Sequence, residues 1–228
     1  MSIAVDRSFT VDLACHYLLQ VPDSPNERTP LIVSLHGFGG NGESMLRVTN
    51  RVSVSQPIIA ALQGPYQFFL SVKAREVGYG WITGERSSES IRLHHQMVLQ
   101  VIKEVSREFR IPPERRLLMG FSQSVALNYR FAAAYPDSIR GVVALCGGLP
   151  GDWEDSAAHS ITAAVLHIAT REDEYYPPSV TQLYPERLRR HASDVEFHLV
   201  DGGHSVPEST KVILAPWVER ILSSSNGR

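Results

Sequence analysis

The chain has 228 residues, 22 basic and 24 acidic side chains, a formal charge of −2 and 43% apolar residues. That length fits one hydrophobic core, and the apolar fraction excludes wholesale disorder. The balanced charge argues against nucleic acid or an acidic membrane surface as the main partner.

The stretch Met1–Arg7 lacks the apolar core of a signal peptide, and no apolar run is long enough to span a bilayer. Phe9–Val21 is predicted to add antiparallel edge strands. Buried strands are predicted at Leu31–Leu35, Ile58–Leu62, Arg116–Met119, Gly141–Leu145, Ala163–Ala169 and Val195–Val200, because these runs are apolar without strict alternation. Between them, helices are predicted at Gly42–Val54, Ser90–Phe109, Gln123–Ala134, Pro178–His191 and Pro207–Leu222. The second is the clearest: Ile91, Val98, Val101, Ile102, Val105 and Phe109 recur at helical steps before Pro112 and Pro113 stop it. Residues 63–89, rich in glycine and aromatic side chains, read as a long loop serving a site. Residues 223–228 read as a frayed tail. Alternating strands and helices predict an α/β fold with a mainly parallel sheet, in a single domain over residues 1–228.

In such sheets ligands gather at the carboxyl ends of the strands, and four segments there carry chemistry. After Arg116–Met119 comes Gly120-Phe121-Ser122-Gln123-Ser124, followed at once by a helix, which is the pattern of a nucleophile elbow with serine in place of the last glycine. A serine hydroxyl needs a base, and Val195–Val200 runs into Asp201-Gly202-Gly203-His204. The base needs a carboxylate, and Ala163–Ala169 runs into Thr170-Arg171-Glu172-Asp173-Glu174, where Asp173 is favoured and Glu172 is the alternative. Leu31–Leu35 leads into His36-Gly37-Phe38-Gly39-Gly40, a loop able to point N–H groups inward. The N–H groups of Phe38 and Gln123 are the candidate oxyanion donors, supported by His36 and Gly37.

With these residues in place the chain resembles the phospholipase/carboxylesterase branch of the α/β-hydrolases, which includes carboxylesterases and acyl-protein thioesterases. The resemblance runs from about Leu31 to Trp217. It rests on Leu35–Gly40, Gly120-Phe121-Ser122-Gln123, Asp173-Glu174-Tyr175-Tyr176-Pro177, Gly202-Gly203-His204 and the aromatic Gly78-Tyr79-Gly80-Trp81. Ser124 and Ala169 stand where the family has glycine. The resemblance implies an α/β-hydrolase fold with little or no lid and a serine hydrolase using Ser122, His204 and Asp173. Its substrates would be small acyl esters or thioesters, with no metal or organic cofactor. Two other readings keep the fold: a non-catalytic binding or regulatory protein, and an acyltransferase with the same triad.

The remaining candidates read more plainly. Tyr66, Trp81, Leu149, Trp153 and Tyr176, with Phe38, are the candidate pocket lining. Nine histidines are many for this chain, yet none has metal-ligand spacing. His94 and His95, adjacent on a helix, read as a surface-and-boundary pair, and His16, His159, His167, His191 and His198 as structural. Cys15 and Cys146 suggest neither a disulfide nor a zinc site, Cys146 reads as a buried thiol, and a cytoplasmic location is expected.

Overall fold

The computed structural model describes residues 3–53, 56–153 and 160–223. The end of the first predicted helix at Val54, His159 and most of the predicted tail lie outside the described residues. The elements run β1 (Tyr17–Gln20), β2 (Leu31–Leu35), α1 (Gly42–Val52), β3 (Ile58–Leu62), β4 (Tyr66–Ser71), β5 (Glu76–Gly80) and α2 (Ser87–Phe109). They continue with β6 (Arg116–Phe121), α3 (Gln123–Ala134), β7 (Gly141–Leu145), β8 (Ala164–Thr170), α4 (Pro178–Thr181), α5 (Tyr184–Arg189), β9 (Val195–Val200) and α6 (Thr210–Ser223).

Seven strands form one sheet in the order β1-β3-β2-β6-β7-β8-β9, parallel except for β1, which runs antiparallel to β3. Period-2 alternation divides its side chains between two cores. Val33, Leu118, Val142 and Val165 join α2, α3 and α5 on one face, whereas Ile32, Leu117, Met119, Val143 and Leu166 join α1 and α6 on the other. With both faces covered, the strands need no polar side, which explains their uninterrupted apolar runs. Strand order reverses at β2: β3 lies on one side of it and β6 on the other. The carboxyl ends of β2 and β6 therefore flank the crevice where such sheets bind ligands.

Three expectations are corrected. The edge contribution is the single strand β1; residues 3–16 form no strand. Pro178–His191 is two short helices, because Pro185 has no N–H to bond back to Thr181 and starts a new turn instead. Residues 63–89 are not simply a loop: β4 and β5 pair as an antiparallel hairpin with a bulge between Phe69 and Ser71. Tyr79 of this hairpin accepts from Gly39 N at 2.9 Å and donates to Gly40 O at 3.2 Å. Gly78 permits that approach, since a Cβ there would lie 2.8 Å from Gly39 O. Phe68 then stacks on Phe38 at 4.7 Å. The glycines that break the strand pattern are the ones that let β5 lie against the loop after β2.

Candidate active site

Ser122 sits in the tight turn between β6 and α3 at φ 55° and ψ −114°, a conformation that L-residues rarely hold without support. Support comes from both sides. Ser122 N donates to Leu145 O at 2.9 Å, and Val125 N donates to Ser122 O at 3.1 Å. Gly120 must lack a side chain, because a Cβ there would fall 2.5 Å from Asn128 Nδ2. Ser124 is fully buried, and its Oγ lies 3.0 Å from Leu35 O and 3.1 Å from Phe121 O while accepting from Phe121 N at 3.1 Å. The hydroxyl that replaces the last glycine is thus absorbed by the backbones of β2 and β6.

His204 reaches over this turn from the loop after β9. Its Nε2 is 2.9 Å from Ser122 Oγ, and its Nδ1 is 2.9 Å from Asp173 Oδ2. The Asp173 side chain is fully buried, and its other oxygen accepts the N–H groups of Tyr175 and Tyr176, each at 2.9 Å. Three donors thus meet the buried carboxylate and fix its orientation. Glu172 is exposed; its backbone N–H donates to Gly202 O at 2.9 Å. With Nδ1–H held by Asp173, the Nε2 lone pair faces the Ser122 hydroxyl, the arrangement a general base requires.

The loop after β2 is held as firmly. His36 is buried; its Nδ1–H donates to Gly37 O at 2.7 Å and its Nε2 accepts from Gly64 N at 2.9 Å. Burial lowers its pKa, keeping the ring neutral. The Trp81 indole N–H donates to His36 O at 2.9 Å. Among the described residues, the backbone N–H groups of Phe38 and Gln123 donate to no protein acceptor. An N–H pair on the carboxyl ends of two adjacent strands can accept a developing oxyanion.

The chain as a whole has counterparts among known proteins. Residues 18–215 match the phospholipase/carboxylesterase family. The chain belongs to that family. It is an α/β-hydrolase of the esterase type. A carboxylesterase structure from Mesorhizobium loti superposes with a TM-score of 0.70 at 19% identity, covering 91% of this chain and 96% of that one. A Bacillus cereus carboxylesterase gives 0.68 at 15% identity over 91% and 94%. Arabidopsis thaliana SOBER1 gives 0.68 at 19% over 85% and 99%. No curated protein matches this chain significantly by sequence.

The other predicted residues of this hydrolase are placed unevenly. Tyr176 is half-buried, its ring centroid 5.8 Å from that of His204. Leu149 is half-buried against the core. Tyr66 is partly exposed with its hydroxyl 3.0 Å from Ser90 Oγ. Trp81 and Trp153 belong to the core rather than a pocket wall: both are buried, and Trp153 packs on Tyr129 and His191. His94 and His95 are also corrected, for both are buried. His94 falls three residues after Ile91 and four before Val98, on the apolar face of α2, and its Nε2 meets Asn128 Oδ1 at 3.2 Å. Burial lowers the pKa of His94 to about 3 and that of His95 to about 4. His167, expected to be structural, is buried with Nδ1 2.8 Å from Tyr129 Oη, and its pKa is lowered to about 3.

Three side-chain contacts that support the site have no signal in the chain order. Gln123 ties the elbow to the segment after β5, its Oε1 accepting from Trp81 N at 2.8 Å and its Nε2 donating to Ile82 O at 2.9 Å. Thr170 Oγ1 donates to Gly203 O at 2.9 Å, and Cys146 Sγ donates to Ser205 O at 3.2 Å. Burial pushes the Cys146 thiol up to about 12, so it remains a thiol. Among the described residues, no cluster of three or more His, Cys, Asp or Glu side chains could hold a metal ion, and no helix is long and apolar enough to cross a membrane.

Proposed function

We propose that this protein hydrolyses carboxylic esters or thioesters of small acyl substrates through an acyl-enzyme on Ser122. The observation that carries the proposal is the unbroken run from Ser122 Oγ through His204 to the buried Asp173, each link 2.9 Å long. Ser122 Oγ attacks the carbonyl carbon as its proton passes to His204 Nε2, and Asp173 stabilises the imidazolium. The oxyanion is met by the N–H groups of Phe38 and Gln123. His204 then protonates the departing alcohol or thiol, which leaves as the carbonyl re-forms. Water enters, gives a proton to His204 and attacks the acyl carbon; the bond to Ser122 Oγ then breaks as His204 returns that proton to it, and the acid departs. Every proton moves between atoms present in this site or in the substrate, so the cycle requires no cofactor.

The buried, fully bonded Ser124 supports an elbow that tolerates its missing glycine, which favours the enzyme over a non-catalytic relative. Two unpaired cysteines, one of them exposed, suit a reducing compartment and support a cytoplasmic location. Turnover of a short-chain p-nitrophenyl ester tests the mechanism. Ser122→Ala abolishes acyl-enzyme turnover and labelling by a fluorophosphonate; equal turnover by the two proteins would refute it.

A further inference from the structure

Beside His204 a cavity of about 310 Å³ lies between the loop after β2, one face of α1 and the residues after β9. Its wall includes Phe38, Met45, Val48, Phe121, His204 and Val206. Two of the polar side chains at its edge are already engaged. Arg51 donates to Val206 O at 2.8 Å, joining α1 to the His204 loop, and the Ser44 hydroxyl donates to Asn41 O at 2.8 Å. What the cavity offers a ligand is therefore chiefly apolar contact. A cavity of about 690 Å³ between residues 13–18 and the start of α1 has neither Ser122 nor His204 in its wall.

The tetrahedral carbon of the proposed reaction has four substituents with different destinations. One is Ser122 Oγ, and one is the oxyanion facing Phe38 N and Gln123 N. The third, the leaving oxygen or sulfur, has to come within hydrogen-bond reach of His204 Nε2, which protonates it. The acyl carbon takes the remaining direction. Three aromatic rings approach His204: Phe121 at 5.0 Å, Tyr175 at 4.7 Å and Tyr176 at 5.8 Å. Among the described residues, Phe121 is the one of these three that lines the 310 Å³ cavity; none from the loop after β7, and neither tyrosine, belongs to its wall. The cavity thus adjoins the base and the oxyanion loop on one side of the nucleophile.

We propose that this cavity is the leaving-group subsite and that it selects compact apolar alcohols or thiols. The proposal rests on the esterase reading above. In the step it serves, the Ser122 Oγ–acyl bond has formed, the acyl–oxygen or acyl–sulfur bond breaks, and the proton first taken from Ser122 leaves on the alcohol or thiol. Burying each added methylene of that group favours the transition state by about fourfold until the space is full.

Val48, half-buried on α1 and outside the reacting groups, gives the test. The probes are acetate esters from methyl to hexyl alcohol and, separately, methyl esters from acetate to octanoate. In the wild type, kcat/KM is expected to climb along the alcohol series. Val48→Phe is expected to cut hexyl acetate at least tenfold while leaving methyl acetate within about twofold, and Val48→Ala to favour longer alcohols. Two results would overturn the subsite: a Val48→Phe loss that tracks acyl length in the methyl esters, or a loss that is equal for methyl and hexyl acetate. Fluorophosphonate labelling of Ser122 separates the two levels of argument. Labelled, active protein with the wrong chain-length dependence refutes the subsite alone, whereas unlabelled protein that cleaves no ester refutes the esterase reading beneath it.

Discussion

Replacing Asp173 by asparagine converts the proposed base into a blocked one, and the structure says why. Asp173 Oδ1 is held by the N–H groups of Tyr175 and Tyr176 at 2.9 Å each, so it must remain an acceptor. An asparagine in that position has to keep its carbonyl oxygen toward those two donors. Its amide nitrogen then replaces Oδ2, 2.9 Å from His204 Nδ1. Two N–H groups cannot face each other, so His204 gives up its Nδ1 proton and carries it on Nε2, pointing at Ser122 Oγ. The imidazole can no longer accept the serine proton. A tautomer trapped in this way costs roughly 10⁴ in kcat in the comparable serine-hydrolase substitution, or about 5.4 kcal/mol of barrier. Asparagine matches aspartate in shape and retains the two backbone hydrogen bonds, so the fold should survive. The assay is kcat and KM on a p-nitrophenyl ester, with thermal unfolding of the same preparations. Glu172→Gln, at an exposed side chain, should stay within about twofold of wild type. A folded Asp173→Asn protein within tenfold of wild type, alongside an inactive Glu172→Gln protein, would refute the reasoning and move the acid to Glu172.

Two further outcomes follow from the surroundings. Thr170→Val removes the donor to Gly203 O while keeping the shape, and a lost hydrogen bond of about 1–1.5 kcal/mol should lower kcat roughly tenfold with KM little changed. Thr170→Ser should recover most of it, and a uniform loss of stability without a kcat effect would argue that the bond serves only the fold. Acid should destabilise the protein well above the carboxylate range. His94, His95 and His167 have folded pKa values lowered to about 3, 4 and 3 from an ordinary 6.5, all by burial. The unfolded chain therefore binds more protons as the pH drops below 6.5. The stability from keeping these rings neutral is complete above 6.5 and is lost progressively as the pH falls toward the folded values. Three such groups imply a decline of about 3–4 kcal/mol between pH 6 and 5, readable as a falling urea midpoint. A midpoint constant over that interval would contradict it.

Legibility from the sequence followed the strength of local signals. Strands buried on both faces announce themselves as apolar runs, and the segments after β2, β6, β8 and β9 stood out because chemistry-bearing residues follow each run. What the chain order could not supply was distance: only folding brings residues 122, 173 and 204 together. The hairpin of β4 and β5 is hidden in the sequence because Gly78 and Gly80 interrupt its alternation, and the purpose of Gly78 is visible only once Gly39 lies against it. Trp81 and Trp153 illustrate the opposite failure. A tryptophan near a predicted site is equally suited to core or pocket, and for Trp81 the deciding bond is to His36 O, 45 residues away. His94 is legible in principle, since its spacing from Ile91 and Val98 puts it on the apolar face of α2.

The position of His204, the proposed base, shows how a glycine-containing loop acquires a fixed geometry. Its loop contains two glycines, and Gly202 at φ 131° takes a conformation closed to most residues. Such a loop would wander if only its own backbone held it. Instead, the carbonyls on either side of His204 are gripped from the sheet: Gly203 O by Thr170 at the end of β8, and Ser205 O by Cys146 just past the end of β7. Asp173, three residues after β8, takes the ring itself. Thr170, Cys146 and Asp173 are all nearly inaccessible to solvent, so water competes poorly for these bonds. Ser122 likewise follows β6 directly. The proposed nucleophile, the proposed acid and the two clamps on the proposed base thus all sit at or just beyond the ends of three adjacent parallel strands. Because β6, β7 and β8 are locked in register, the separation of Ser122 and His204 is set by the sheet rather than by the loop. That is why a threonine and a thiol that touch no reacting atom are expected to register in kcat.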